Sequence, residues 1–475
     1  MKYFYFPIIA MLILVGAVIF FVDAPLSFAI IIAFTLFAIA VIKMIKNPEF
    51  GLALVGFFLS FERIPSIEIS GLSLKINYVL ITALLFIFIT VKAFEGKLKI
   101  PKDPIYLLIS IFILSLTPSL TQAVNLSRSL QVMLSIILMV IVYFTVTLLL
   151  QNKKAIIVAL TGVLLGAAVS AVFGLYQFFG DMIGLPNSIT LLKEGYDKST
   201  FGFARVQAGA QEPLYFANYM FIPLFVSLVL LVNGKSEEVL PKWFNIFLIV
   251  ALMLNFILAI SRGAFLAAAA AFIIFLIIQF KKIFKLNVII PSIIIIATIL
   301  TGSFLALIRS EPEAMEEYIK HLTVQDRYAG ESVVSRLSAA NQALDMFYDN
   351  MLFGIGLGNF GPVVEGDPDL APETGWPIVN NEYLELLCET GIVGFAGFLM
   401  LVIGVVTRGI IAVYRARDEF LKTVQVGLLI AFIAILVQYL TFSTIYIFHI
   451  WFLLGLIGAI SNIVISNHKH VKKYS

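Results

Sequence analysis

The sequence predicts an all-α polytopic membrane protein of about 14 transmembrane helices with a large extracytoplasmic helical loop. Three observations carry that prediction. Apolar runs of about twenty residues, long enough to cross roughly 30 Å of hydrocarbon, recur along the whole chain. Hydrophobic residues make up 61% of the 475 and charged ones 13%, a balance that excludes a soluble multidomain chain. The basic residues also divide unevenly when the connections are dealt to alternate sides of a membrane.

Taken in order, the apolar runs place spans at 6–22, 26–45, 48–61, 76–94, 104–117, 129–150, 155–178, 214–232, 243–260, 263–280, 288–308, 383–407, 421–441 and 446–465. The first has no Ala-x-Ala cleavage site behind it and runs at once into the second, so it reads as a retained span. The chain then divides into N-terminal transmembrane helices at 1–178, an outer loop at 179–213 and central transmembrane helices at 214–308. A large outer catalytic loop follows at 309–382, and C-terminal helices with a basic cytoplasmic tail occupy 383–475. No heptad, solenoid repeat or low-complexity tract interrupts this pattern.

With the N-terminus inside, 21 of the 32 lysines and arginines fall on the cytoplasmic side, which satisfies the positive-inside rule and makes both termini cytoplasmic. The outer face receives the other 11 basic residues and 22 of the 29 acidic ones. It takes seven of the ten arginines but four of the 22 lysines. Topology alone does not sort arginine from lysine, so the outer arginines have another task. The single cysteine, Cys388, excludes an internal disulfide and reads as a small core residue. Four scattered histidines offer no zinc-ligand spacing, and no cofactor is expected; His449, alone in the last span, reads as a packing residue.

The polar residues concentrate from Ser335 to Gly394. Helix-compatible spacing covers Glu311–Leu322 and Ser332–Tyr348, with Leu337, Leu344, Phe347 and Tyr348 near one face and Ser332 or Ser335 as caps. Gly354, Gly356 and Gly358 then break the chain. Guanidinium groups offer rigid, bidentate donors for phosphate oxygens. Arg205, Arg262 and Arg336 therefore fit a lipid diphosphate at the membrane rim, or else pair with acids such as Glu212 or Glu382. Arg262 is the sharpest, since Ser261-Arg262-Gly263 holds it in a connection of two or three residues between apolar spans. At the last outer helix, Asn380, Asn381 and Glu382 suit a helix start, while Asn380 or Glu382 also suits an acceptor hydroxyl that must be oriented or deprotonated. Asp367-Pro-Asp369 has the form of a paired-acid metal motif within an acidic loop, and no metal site is assigned to it.

In combination these motifs resemble the superfamily of O-antigen ligases and O-antigen polymerases. The matching residues are Arg205 with Glu212, Pro213, Phe216 and Ala217, the Ser-Arg-Gly turn at Arg262, Ser335-Arg336-Leu337, the turn Gly354-Ile-Gly-Leu-Gly358, and Asn381-Glu-Tyr-Leu leading to Glu389-Thr-Gly391-Ile-Val-Gly394. The resemblance implies a metal-independent membrane glycosyltransferase fed by glycans on undecaprenyl diphosphate at the outer leaflet of the cytoplasmic membrane. It implies diphosphate binding by Arg205, Arg262, Arg336 and Glu212, and catalytic parts for Asn380, Glu382 and Arg336. Where the family has a histidine before its Asn-x-Tyr-Leu stretch, this chain has Asn380, which cannot accept a proton. Either Glu382, Glu385 or Glu212 would then do so, or leaving-group stabilisation would carry most of the rate, and a polymerase is favoured over a ligase.

The expected partners are thus a lipid-linked oligosaccharide donor, a glycan or lipid acceptor, the bilayer and other polysaccharide-assembly proteins, with no nucleic acid. A lipid-linked glycan transporter (flippase) and an inactive assembly scaffold are the rival readings.

Overall fold

The computed structural model describes residues 35, 38–64, 66–69, 72–96, 100–197, 202–283, 327–370, 372 and 375–472. The spans expected at 6–22 and 288–308, most of that at 26–45, and the helix expected at Glu311–Leu322 lie outside the described residues. Among the described residues nine helices are long and apolar enough to cross a membrane.

In chain order the elements are α1 (Pro48–Phe57), β1 (Ser66–Ile69), β2 (Leu72–Lys75), α2 (Ile76–Phe94), α3 (Ile105–Leu116), α4 (Leu126–Leu149), α5 (Lys153–Met182), α6 (Asn187–Thr190) and α7 (Pro213–Val232). Then come α8 (Lys242–Leu258), α9 (Arg262–Ile283), α10 (Arg327–Asp349), α11 (Phe360–Glu365), α12 (Glu382–Arg415), α13 (Glu419–Gln438) and α14 (Phe448–Lys472). A 3-10 turn, Thr117–Gln122, prolongs α3 to a spanning length.

Two features depart from expectation. The run expected to span at 48–61 forms α1, whose 10 residues rise only about 15 Å. The run at 243–260 forms α8, whose 17 residues stand at the lower end of a spanning length. Expected as a plain connection in an all-helical chain, the stretch 66–75 pairs instead as an antiparallel hairpin, Ser66 opposite Lys75 and Ile69 opposite Leu72. Its apolar and polar residues alternate with the period of a strand.

Small residues explain the closest helix pairs. α1 lies directly on α5, where a Cβ at Gly162 would stand 2.0 Å from Ala53 O and one at Gly166 the same distance from Phe57 O. The four-residue spacing puts both glycines on one face, and two backbones meet there as they do at small-xxx-small contacts in membranes. α7 runs along α13, with Gly427 against the backbone of Val226. α3 packs on α12 and α4 on α14, and α14 is the most enclosed span.

Residues that the charge count deals to one side meet one another. At one end of the bundle Lys153 bridges Glu238 at 2.8 Å and Asp418 at 3.0 Å. At the same end the buried Asp103 accepts from Tyr143 Oη (2.7 Å), Asn462 Nδ2 (3.0 Å) and Ile105 N (3.0 Å), with Arg408 Nε 3.5 Å away. This ties the start of α3 to α4, α12 and α14. Asp103→Ala leaves the buried Tyr143 hydroxyl without its acceptor and the part-buried Arg408 without its counter-charge, and is expected to cost about 1–3 kcal/mol of stability, read as a lower thermal midpoint in detergent. An unchanged midpoint would mean that the network adds nothing.

Candidate active site

The other end of the bundle collects the polar side chains singled out by sequence. α8 ends at Leu258 and α9 begins at Arg262, with Ile260 held at a φ of 45° between them. Ser261 Oγ accepts from Ala264 N at 3.4 Å, starting α9. A Cβ on Gly263 would stand 1.9 Å from Thr441 Oγ1, so only glycine lets α9 meet the segment joining α13 to α14. Arg262 is thereby fixed in place, with Nη1 buried and making no hydrogen bond.

The loop before α7 is zipped onto this turn. Val206 N donates to Leu258 O (3.2 Å), Arg205 N to Tyr196 O (2.8 Å) and Arg205 Nη2 to Ile260 O (3.0 Å). The Arg205 guanidinium lies over the Tyr196 ring, 5.7 Å from its centre. Burial pushes its pKa below the ordinary guanidinium value, Arg262 and Arg336 adding to the effect and Tyr196 and Glu212 opposing it. Arg336, half-buried on α10, is lowered likewise by burial and then by Arg262. The structure therefore brings Arg205, Arg262 and Arg336 into one cluster. Mutual repulsion of three guanidinium groups is unfavourable without an anion between them. Glu212 stands at its edge, at the N-cap of α7, with Lys193 Nζ 3.8 Å away.

The start of α12 carries the second group. Asn381, not Asn380, caps the helix, its Oδ1 accepting from Tyr383 N (3.1 Å) and Leu384 N (3.2 Å). Asn380 sits one residue earlier at a φ of 57°, a left-handed conformation that asparagine tolerates better than most side chains. Glu382 is buried, its carboxylate taking the amide of Thr444 at 2.5 Å while its own N–H donates to Tyr439 O at 2.9 Å. Glu385, next on the same face, accepts from Val379 N at 3.0 Å.

The glycine turn proves to be a lock on α12. That helix breaks at Gly391, whose φ of 64° and ψ of −169° free the groups around it. Ile355 N and Gly356 N donate to Cys388 O and Glu389 O, at 2.9 and 3.0 Å; Ile392 N and Val393 N donate to Met351 O and Leu352 O, at 2.9 and 3.3 Å. The Glu389 carboxylate takes Gly358 N (2.7 Å) and Phe360 N (3.0 Å). Two motifs that sequence treats as site equipment thus satisfy each other's backbone.

α10 begins at Arg327, upstream of the caps expected at Ser332 and Ser335. Its packed face is only partly the expected one, keeping Phe347. Leu337 and Tyr348 are exposed, whereas Ala343, with Ala339, Met346 and Phe347, packs on Phe360, Val379 and Cys388. Small residues let α10 lie close on the first turns of α12. Asp367 and Asp369 stay in an exposed loop, where Asp367 Oδ1 accepts the amide of Asp369.

Several residues beyond the sequence candidates complete the site. Tyr215, on the first turn of α7, lies within the fields of Glu212, Glu62 and Glu385 and shares a 3.4 Å hydrogen bond with Thr444 Oγ1. Arg128 at the start of α4 donates from Nε to Gly358 O, stands over the Trp376 ring and acts on Glu385 and Glu389. His449 is no isolated packing residue, since Glu62 and Asn218 face its two ring nitrogens. Arg128 was visible as one of the seven outer arginines; the Glu62–His449 pair joins distant parts of the chain and had no local signal.

These elements define a polytopic helical membrane protein with a polar site at one end of its bundle, where three arginines cluster and the carboxyls of Glu212, Glu62 and Glu385 act on Tyr215. Residues 247–399 match the sequence model of the O-antigen ligase family. The resemblance to the superfamily of O-antigen ligases and polymerases is thereby borne out over that stretch of the chain. The match takes in Arg262, Arg336, the glycine turn and the start of α12. No curated protein matches the chain.

Proposed function

We propose that the protein is a metal-independent membrane glycosyltransferase that polymerises or transfers oligosaccharide units carried on undecaprenyl diphosphate, with its polar end facing away from the cytoplasm. The observation that carries this reading is the cluster of Arg205, Arg262 and Arg336, in which a buried guanidinium nitrogen of Arg262 has no hydrogen-bond acceptor. A diphosphate supplies both the missing acceptors and the missing negative charge.

In the reaction an acceptor hydroxyl oxygen attacks the anomeric carbon, the bond from that carbon to the diphosphate oxygen breaks, and its electron pair leaves with the diphosphate. Charge grows on the leaving group, where the arginines lie. Glu212 orients the cluster from its edge. Because the Glu382 carboxylate is turned inward to Thr444, its part is to fix the segment above α13; Glu385, facing Tyr215, takes the hydroxyl proton, and Asn380 orients the acceptor. The want of a histidine at 380 favours polymerase over ligase.

The reading is tested with purified protein in nanodiscs, a lipid-diphosphate oligosaccharide, and neither nucleotide nor metal. A ladder of longer lipid-linked glycans with release of the lipid diphosphate is expected. Donor binding with no new glycosidic bond, persisting in Asn380→His, would overturn it in favour of a transporter or scaffold.

A further inference from the structure

The buried polar chain behind Tyr215 is not absorbed by the transfer mechanism. It runs from Glu62, in the turn after α1, to His449 on α14, Asn218 on α7 and Gln438 at the end of α13, all at most 4% exposed. Asn218 Nδ2 donates to Gln438 Oε1 at 2.8 Å, so Asn218 presents Oδ1 to His449 Nε2, 2.7 Å away. An oxygen there requires a hydrogen on Nε2. The other nitrogen, Nδ1, faces Glu62 Oε1 at 3.4 Å. One proton must sit between this nitrogen and this carboxylate, because two lone pairs would repel in a site closed to water.

The place of the pair gives it a task. His449 lies on the first turn of α14, immediately after residues 439–447. That irregular segment holds Thr441 against Gly263 beside Arg262, Thr444 against Glu382 and Tyr215, and Tyr446 in the fields of Glu385 and Arg128. It touches both the arginine side and the carboxylate side of the site. We infer that Glu62 and His449 are positioning residues, a one-proton ion pair that latches segment 439–447 in the arrangement the site needs.

The groups facing the pair are Lys75 from β2, Tyr78 from α2, Tyr215 and Tyr219 from α7, and Gln438, through Asn218, from α13. Burial opposes the Glu62 charge, but the hydrogen bond and charge of His449, with Lys75, outweigh it and hold the carboxylate below its usual range. A depressed carboxylate stabilises the fold above its unfolded value, and that contribution disappears as pH falls through the folded value. The latch therefore holds at neutral pH and opens as pH falls through the folded value of Glu62.

The latch is tested by hydrogen exchange of the whole protein in nanodiscs, comparing peptides over 440–447 with peptides inside α13 at each pH. This readout does not depend on transfer, whereas the link to catalysis rests on the proposed function. The wild type is expected to protect 440–447 at neutral pH and to lose at least about tenfold of that protection, relative to α13, at acid pH, the scale of a charge-assisted hydrogen bond. Glu62→Gln and His449→Gln are each expected to exchange fast at every pH and to lower kcat while leaving the donor KM unchanged. The double variant, with an amide pair in place of the ions, regains protection that no longer varies with pH. Protection of 440–447 that tracks α13 across the pH range in the wild type overturns the latch, even if both single variants fail to fold. A pH-dependent segment in a protein without transfer activity overturns the proposed function and leaves the latch standing.

Discussion

An Arg262→Ala enzyme is expected to elongate lipid-linked glycan about 10²- to 10³-fold more slowly than the wild type, the usual loss when one fixed donor to a developing anion is removed. The thermal midpoint should hardly move, because the side chain makes no ion pair among the described residues and leaves a guanidinium nitrogen unused. Arg262→Lys should recover little, since a point charge does not reproduce a rigid fork of donors. Arg205→Ala should slow transfer less cleanly, because that side chain also closes a loop on Ile260 O. A radiolabelled donor followed on gels measures all three, and full activity in Arg262→Ala would remove the diphosphate from this cluster.

Gly391→Ala is expected to be strongly destabilising. Its backbone angles belong to a region used almost only by glycine, and a new Cβ would stand 2.3 Å from the Leu352 carbonyl carbon and oxygen. The strain, with loosening of the hydrogen bonds from Ile392 and Val393, should cost about 3–5 kcal/mol. The expected readout is a markedly lower thermal midpoint and early proteolysis near residues 351–358. A variant as stable as the wild type would show that the lock between the glycine turn and α12 is dispensable.

Much of the architecture was legible because a bilayer leaves so few options for a backbone. The runs at 76–94, 129–150, 155–178 and 214–232 reappear as α2, α4, α5 and α7 within a few residues at each end. The sequence failed where length alone could not separate a span from a short helix leaning on glycines, as at α1, and where a two-residue period hid inside a loop, as in the hairpin. At the site, the arginines were legible from their side of the membrane, and their gathering follows from the Leu258–Arg262 turn and the zipped 205 loop. The function of the glycine turn was not legible, because its partners are backbone groups of α12, and backbone groups leave no trace in residue type. Nor was His449, whose partners Glu62 and Asn218 come together only through tertiary packing.

The reach of that last network along the chain bears on biosynthesis. Glu62 emerges early, Asn218 midway and His449 with the final span, the most enclosed helix of the bundle. Until α14 is inserted, the ribosome has delivered a chain in which Asn218 can reach Gln438 but Glu62 lacks the imidazole that faces it. A product that stops short of α14 therefore carries a standing polar defect inside the bilayer, the kind of flaw that membrane proteases recognise. Insertion of α14 thus decides whether the buried acid gains its imidazole partner.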